Sequence, residues 1–164
     1  YNAGFGKASR TTIFDYWGVP AHQRWMNEGK FDGGALTIEE KKLRDFYVQL
    51  LTVTRNSPAL MGAYQELHTA NKNTAGYDGE LFSFARWSTT QKLIILSNFN
   101  AVQQKQFSFN VPNSLINTWQ LKSGNYVMSD KLSGNKYSLI VKNDQAQIDL
   151  ALKPLQSVIL ELNP

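Results

Sequence analysis

The sequence of 164 residues contains no cysteine and only two histidines. The absence of cysteine excludes disulfides, thiolate zinc sites and a cysteine nucleophile. No apolar run approaches the roughly 20 residues that a membrane-spanning helix needs. No basic segment followed by an apolar one marks a targeting signal either. We therefore expect no membrane partner, and the sequence leaves the cellular compartment open.

The positive charge is spread thinly along the chain. The formal net charge is +4, and residues 81–164 hold eight basic and four acidic side chains. A nucleic-acid surface would need this excess on one face, with arginine or aromatic partners. Here the excess consists of single lysines near predicted turns. Such lysines are typical of a solvated surface, where they also prevent strand edges from pairing with other chains. We expect no nucleic-acid partner.

Motifs that would carry chemistry are missing as well. The sequence has no HExxH, GxSxG, GxGxxG or phosphate-loop pattern, and His22 and His68 lack metal-ligand spacing. We interpret both histidines as ordinary surface or packing residues. Two carboxylates distant in sequence can act on glycosides, but acids in loop-like stretches are usually solvated or capping. The loop acids are Asp15, Asp32, Asp78 and Glu80. The residues alone predict no catalytic group and no metal site.

Residues 37–56 have the pattern of one long helix. Thr37 and Glu40 form a capping box, and acidic residues in the first turn suit the helix dipole. Arg55 suits the last turn, and Pro58 ends the pattern. An apolar stripe follows three- and four-residue steps. Its members are Leu43, Phe46, Tyr47, Leu50, Leu51 and Thr54.

From about residue 62 the apolar period changes to two, which is typical of half-buried strands. Turn residues separate the runs, as in "SGN" at 133–135 and "KND" at 142–144. The fold class is therefore predicted as mainly β: an antiparallel Greek-key β-sandwich, preceded by an irregular loop segment and one long α-helix. The predicted core comprises Phe82, Phe84, Leu93, Ile95, Phe107, Phe109, Leu139, Ile148, Val158 and Leu160.

The first 36 residues hold six of the eleven glycines and show no sustained period. "RTTIFDYWGVP" places Phe14, Tyr16 and Trp17 close together, and "VPAHQRWMNEG" suggests a short helix that ends at Gly29 and contains Trp25. So long an irregular stretch is uncommon inside a compact domain. These aromatics have no core of their own, so we expect this stretch to belong to the end of a longer chain.

The order of the segments resembles a known family. "LRDFYVQLLTVTRNSPAL", the strand "FSFAR" and the apolar strand "KLIILSNF" follow one another as in alpha-amylase-like enzymes of glycoside hydrolase family 13. The resemblance is to the C-terminal end of these enzymes and covers nearly the whole chain. It implies that residues 1–60 are the last loop and helix of a (β/α)₈ barrel. It also implies that residues 61–164 are the C-terminal antiparallel β-sandwich domain.

By this resemblance the parent enzyme would be a retaining hydrolase of alpha-glucans such as starch or maltooligosaccharides. The family's Asn-His-Asp motif is absent, and nothing matches its other two catalytic signatures, so no catalytic residue is carried over. We expect no cofactor in this chain, and a calcium site of the parent stays open. The partners would be the missing barrel and, for the parent, its alpha-glucan. A secreted or periplasmic parent is compatible with this resemblance.

The resemblance gives the N-terminal aromatics a place. Loops after barrel strands lie on the face where active sites form. Phe14, Tyr16, Trp17 and Trp25 would then lie on the substrate side or pack against the barrel. Two other functions stay open at this point. The chain could be a free-standing carbohydrate-binding module, or a self-associating domain that forms a homodimer through the aromatic loop.

Overall fold

The computed structural model describes residues 19–163. The chain divides into two compact units, and the boundary along the sequence lies between Leu51 and Thr52. The division predicted at residues 60 and 61 stays a prediction. Within the described residues, no helix combines the length and apolar character that a membrane crossing requires. The helices are α1 (Pro20–Met26), α2 (Ile38–Arg55), α3 (His68–Asn71) and α4 (Asn113–Thr118), with 3₁₀ turns at Asn27–Gly29 and Pro58–Met61.

The long helix α2 lies within one residue of the predicted bounds at each end, and it has the predicted cap. The Thr37 backbone N–H donates to Glu40 Oε2 at 3.0 Å, and the Glu40 N–H donates to Thr37 Oγ1 at 3.3 Å. Arg24 of α1 donates from Nε to the same carboxylate at 2.8 Å. Side chains of the apolar stripe are nevertheless exposed, and none of the residues of α2 is buried by the described part of the chain.

Eight antiparallel strands form one continuous curled sheet in the second unit, which confirms the predicted mainly β, sandwich-like class. The spatial order is β1-β2-β3-β8-β5-β6-β7-β4. Hairpins join β5, β6 and β7, while β4 lies beside β7, which is a Greek-key arrangement. The strands are β1 (Ala63–Glu66), β2 (Leu81–Trp87), β3 (Lys92–Asn98), β4 (Lys105–Val111), β5 (Gly124–Asp130), β6 (Lys136–Lys142), β7 (Gln145–Leu152) and β8 (Ser157–Leu162).

Most of the predicted core is buried, but three of its members are not. Phe82 is exposed, and Phe84 and Ile95 are only half-buried. Their prediction as core residues is wrong, because they lie on the outer face of the sheet. The predicted members that are buried are Leu93, Phe107, Phe109, Leu139, Ile148, Val158 and Leu160.

The side chain of Tyr77 explains why the phenylalanines of β2 lie on the outer face. Strand β2 turns Ser83 and Ala85 into the core instead of its phenylalanines, and two such small residues leave space. Tyr77 fills this space, since the residue is only 4% exposed, and its hydroxyl lies 2.9 Å from Ser83 Oγ. Its ring contacts Phe107 edge-on at 5.3 Å. Burial raises the pKa of the Tyr77 hydroxyl, so this group is neutral in the core.

The segment from α3 to β2 closes the curled sheet along the free edge of β4. Asn71 is fully buried, and its side chain donates to the carbonyl of Asn110 at 2.9 Å and accepts from the Asn110 N–H at 2.7 Å. It therefore acts as a short strand partner for β4. Gly76, with a φ of +80°, passes so close to the Gln106 carbonyl that a Cβ would lie 2.1 Å from its oxygen.

Candidate functional site

The four aromatics singled out in the sequence are only partly described by the structure. Phe14, Tyr16 and Trp17 lie outside the described residues. Trp25 is half-buried on α1, where its ring lies 5.8 Å from that of His22 and 5.8 Å from that of Phe31. Their assignment to the substrate side or to barrel packing stays a prediction.

The first of the described candidate acids caps a turn. Asp32 Oδ1 accepts from the Asn27 side-chain amide at 2.8 Å and from the Gly34 backbone N–H at 2.8 Å. These two hydrogen bonds, that of Asn27 first, hold the pKa of Asp32 below its ordinary value. Asp15, another of the loop acids, lies outside the described residues. Asp32 is therefore ionised at neutral pH and is not a proton donor for a leaving group.

Asp78 and Glu80 are brought together by one lysine. Lys105 Nζ lies 2.6 Å from Asp78 Oδ2 and 2.8 Å from Glu80 Oε2. Hydrogen bonds from this ammonium lower the pKa of both carboxyl groups, and Asn100 adds a second donor to Glu80 at 2.7 Å. The two carboxylates in turn raise the pKa of Lys105. Retaining glycoside chemistry needs one carboxyl group held protonated, and this charged cluster works against that.

Metal ligands are not assembled in the described part of the chain, where no three His, Cys, Asp or Glu side chains could share an ion. His68 has a packing role instead. Its Nδ1 lies 2.9 Å from the Leu81 carbonyl oxygen, which can only accept, so Nδ1 carries a proton. In the neutral imidazole, Nε2 is then the acceptor. The His68 ring also lies 5.4 Å from the Tyr77 ring.

The outer face of the first half of the sheet, on β1, β2, β3 and β8, is aromatic and aliphatic. The Phe84 ring lies 5.7 Å from the rings of both Tyr64 and Phe82. Ile95 pairs directly with Phe84 and with Ile159 across the strands. We call the residues Tyr64, Phe84, Ile95 and Ile159 the aromatic face, and Phe82 lies at its margin. Most of these side chains keep appreciable exposure, so the face offers a continuous apolar surface.

The outer face of the other half, on β4 to β7, is polar. Gln147 donates to Asn110 Oδ1 at 2.9 Å, and Asn110 donates to Thr74 Oγ1 at 2.9 Å. Ser108 donates to Asp149 in the same cross-strand manner. Only Val127 and Ile140 interrupt these polar side chains as exposed large apolar residues. We call this surface the polar face, and its composition is that of a solvated sheet surface.

A groove open to solvent lies where β1 and β2 meet the loop after β3. Its walls include Glu66, His68, Thr69, Leu81, Phe82 and Phe99. The Phe99 ring is 66% exposed. The groove thus combines two accessible aromatic rings with a carboxylate and an imidazole.

No protein-family model matches the sequence, and no curated protein matches it. Solved structures do match the fold. A variant of AmyP in complex with maltotriose superposes with a TM-score of 0.53 at 18% identity, over 78% of this chain and 22% of AmyP. AmyP in complex with maltose gives 0.52 at 19% identity, over 77% and 21%. An Anoxybacillus alpha-amylase gives 0.51 at 16% identity, over 83% of this chain and 26% of the amylase.

The chain has the fold of a part of these structures. It spans about a fifth to a quarter of their length. The resemblance read from the sequence is therefore confirmed at the level of the fold. Sequence reasoning missed the roles of Lys105 and Tyr77, and it gave no signal for the groove.

Proposed function

We infer that the chain is the C-terminal, non-catalytic part of an alpha-amylase-type glycoside hydrolase that acts on alpha-glucans. In this proposal the sandwich packs against the catalytic barrel through its aromatic face and stabilises it. The observation that carries the proposal is the contrast between the two outer faces of one sheet, taken together with a fold that covers only part of alpha-amylase structures.

The aromatic face supports a protein partner because of its size and chemistry. The rings of Tyr64 and Phe84 lie side by side, and Ile95 continues the apolar surface across the strands. Apolar surface of this extent on a soluble protein usually marks an interface. One end of the same sheet half already receives a segment of the chain, since Arg86 donates to the carbonyls of Ala59 and Leu60.

The non-catalytic role is supported by the state of the acids. The candidate carboxyl groups with shifted pKa values, Asp32, Asp78 and Glu80, are all shifted downward. A retaining hydrolase needs one carboxylic acid and one carboxylate about 5 Å apart. The catalytic acids of the proposed enzyme would therefore come from the barrel, outside this sequence.

Two assays test this proposal. The 164-residue chain should release no sugar from starch or from activated maltosides, whereas the full-length product of its gene should hydrolyse both. Turnover by the chain that survives repurification and is lost in Asp78→Asn would contradict the non-catalytic role. Failure of the gene product to hydrolyse any alpha-glucan would contradict the parent enzyme.

A matched pair of variants of the gene product tests the interface. Tyr64→Ser with Phe84→Ser should shorten the half-life of the hydrolase on heating, because these substitutions remove apolar area from the proposed barrel contact. Val127→Ser with Ile140→Ser, on the polar face, should leave the half-life unchanged. Equal half-lives for both pairs would remove the aromatic face from the interface.

The homodimer through the aromatic loop stays a prediction, because Phe14, Tyr16 and Trp17 lie outside the described residues. Light scattering of the 164-residue chain at two concentrations tests it directly. A rise in mass with concentration, abolished by Trp17→Ser, would support the dimer. A constant monomer mass would exclude it.

A further inference from the structure

We propose that the groove between β1, β2, α3 and the loop after β3 is a binding site for one or two glucose units of an alpha-glucan. The choice of an alpha-glucan rests on the proposed function. The site itself rests on the residues that line the groove, and these are described by the structure independently of any parent enzyme.

The apolar part of the site is formed by Phe82 and Phe99. Phe82 is 41% exposed and Phe99 is 66% exposed, so each keeps accessible ring surface beside the groove. The Phe82 backbone is fixed within β2, and Phe99 is anchored by its N–H, which donates to the Glu80 carbonyl at 2.8 Å. Rings held on fixed backbone offer apolar contact at little cost in entropy.

The polar part of the site consists of acceptors. Glu66 accepts from the Thr69 backbone N–H at 2.7 Å with Oε1, which orients its carboxylate and leaves further lone pairs. In its neutral form His68 offers Nε2 as an acceptor, because its Nδ1–H donates to the Leu81 carbonyl at 2.9 Å. Thr69 itself adds a hydroxyl to the groove. A ligand for this site must therefore offer hydrogen-bond donors next to an apolar surface.

A glucopyranose ring meets both requirements. Its C–H groups form apolar patches that can lie on an aromatic ring, and its hydroxyls are donors for Glu66 and His68. An anion does not suit the site, because the Glu66 carboxylate would repel it. A groove that is open along its length also admits an internal unit of a polymer, whereas a closed pocket would accept only a chain end.

Titration of the ¹⁵N-labelled 164-residue chain with maltoheptaose, followed by NMR, tests the proposal. We expect millimolar binding, with the largest shift changes at the amides of Thr69, Phe82 and Phe99. Phe99→Ala should weaken the affinity about tenfold, as loss of an aromatic anchor does. Glu66→Gln, which keeps the oxygen that accepts from Thr69, should weaken the affinity because it removes the charge that strengthens acceptance from hydroxyls.

The control is Val102→Ala in the same loop, because Val102 is 84% exposed and does not line the groove. Its affinity should equal that of the unmodified chain, and the spectra of all variants should keep their dispersion. Absence of shift changes, or equal weakening by Val102→Ala, would overturn the proposal. Equal binding of cellohexaose would overturn the assignment to alpha-glucans.

The outcome separates this site from the proposed function. Hydrolysis by the gene product without maltoheptaose binding by the chain would overturn the site alone, and binding without hydrolysis would overturn the parent enzyme alone. Protection of Phe99 from hydroxyl radicals in the sugar-free gene product would assign the groove to a polypeptide and overturn the proposal.

Discussion

Tyr64 on the aromatic face and Ile140 on the polar face are almost equally exposed, at 52% and 54%. Their surroundings differ. Tyr64 continues a row of rings through Phe84, whereas Ile140 lies between Asn125 and Gln147 on the neighbouring strands. Exposure of a single apolar side chain says little, because such residues are common on soluble proteins. Contiguity of several such residues distinguishes a surface that binds another polypeptide.

Both faces have side-chain hydrogen bonds across the strands, such as Ser97 with Ser157 at 2.8 Å, but only the aromatic face has an apolar centre. On the polar face, side chains such as Gln147 and Asn110 bond one another across the strands, so the surface is complete in contact with water. On the aromatic face, the direct neighbours of Phe84 are Ile95 and Glu66. Phe84 and Ile95 have no polar side-chain atoms, so their burial against a partner would remove apolar area from water.

The largest expected effect tests which side of the first half of the sheet is the core. Ile94 is fully buried, and Ile94→Ala should reduce the free energy of unfolding by about 2–5 kcal/mol. Ile95→Ala is the matched control, since the neighbouring side chain points to the half-buried aromatic face, and about 1 kcal/mol or less is expected. Urea unfolding of both variants measures the difference. Equal losses would mean that the aromatic face is already covered within the chain.

A smaller effect tests whether Asn71 holds the free edge of β4, the last strand of the sheet. Asn71→Ala leaves the Asn110 N–H and carbonyl without this partner, and about 1–3 kcal/mol of stability should be lost. Asn117→Ala, at an exposed position of α4, should change stability by less than about 0.5 kcal/mol. Similar values for the two variants would show that water replaces the Asn71 amide.

The pH dependence of stability tests the Lys105 cluster. The folded pKa values of Asp78 and Glu80 are lowered from ordinary values of 3.8 and 4.5. Their contribution is therefore present above those values and is lost as pH falls through the lower folded values. The melting temperature should fall below about pH 4.5, and less steeply in Lys105→Met than in the unmodified chain. Parallel curves for the two proteins would contradict the lowered pKa values.

The smallest expected effect compares the two faces within the chain. Tyr64→Ser and Ile140→Ser should each change the free energy of unfolding by less than about 0.5 kcal/mol, since both side chains are largely in contact with water. A loss above about 1 kcal/mol for Tyr64→Ser would indicate that the row of rings already stabilises the sandwich by itself.

Local patterns in the sequence predicted the local structure well. The capping box of Thr37 and Glu40 and the apolar alternation of the strands depend on near neighbours, so both could be recognised. The orientation of β2 could not, because alternation defines two faces without saying which one is buried. That choice depends on Tyr77, which fills the space above Ser83.

The remaining parts of the candidate site depend on long-range contacts. Lys105 meets Asp78 across 27 positions of sequence, and Asn71 meets Asn110 across 39. Trp119 caps α4 and packs edge-on against Trp87 at 6.3 Å. The groove joins residues of β1, α3 and β2 with residues of the loops before β2 and after β3. No local pattern in the sequence indicates such a combination.

Hydroxyl-radical footprinting of the full-length gene product tests the central claim most directly. Two pairs of residues are matched in exposure: Tyr64 with Ile140, at 52% and 54%, and Phe82 with Val127, at 41% and 44%. After correction for intrinsic reactivity, the account predicts that Tyr64 is protected, whereas Phe82, which lines the groove at the margin of the aromatic face, is labelled at the rate of Val127. Ile140 and Val127 should be labelled as their exposure requires. Labelling of Tyr64 at the same corrected rate as Ile140 would show that the aromatic face is open to solvent and would contradict the account.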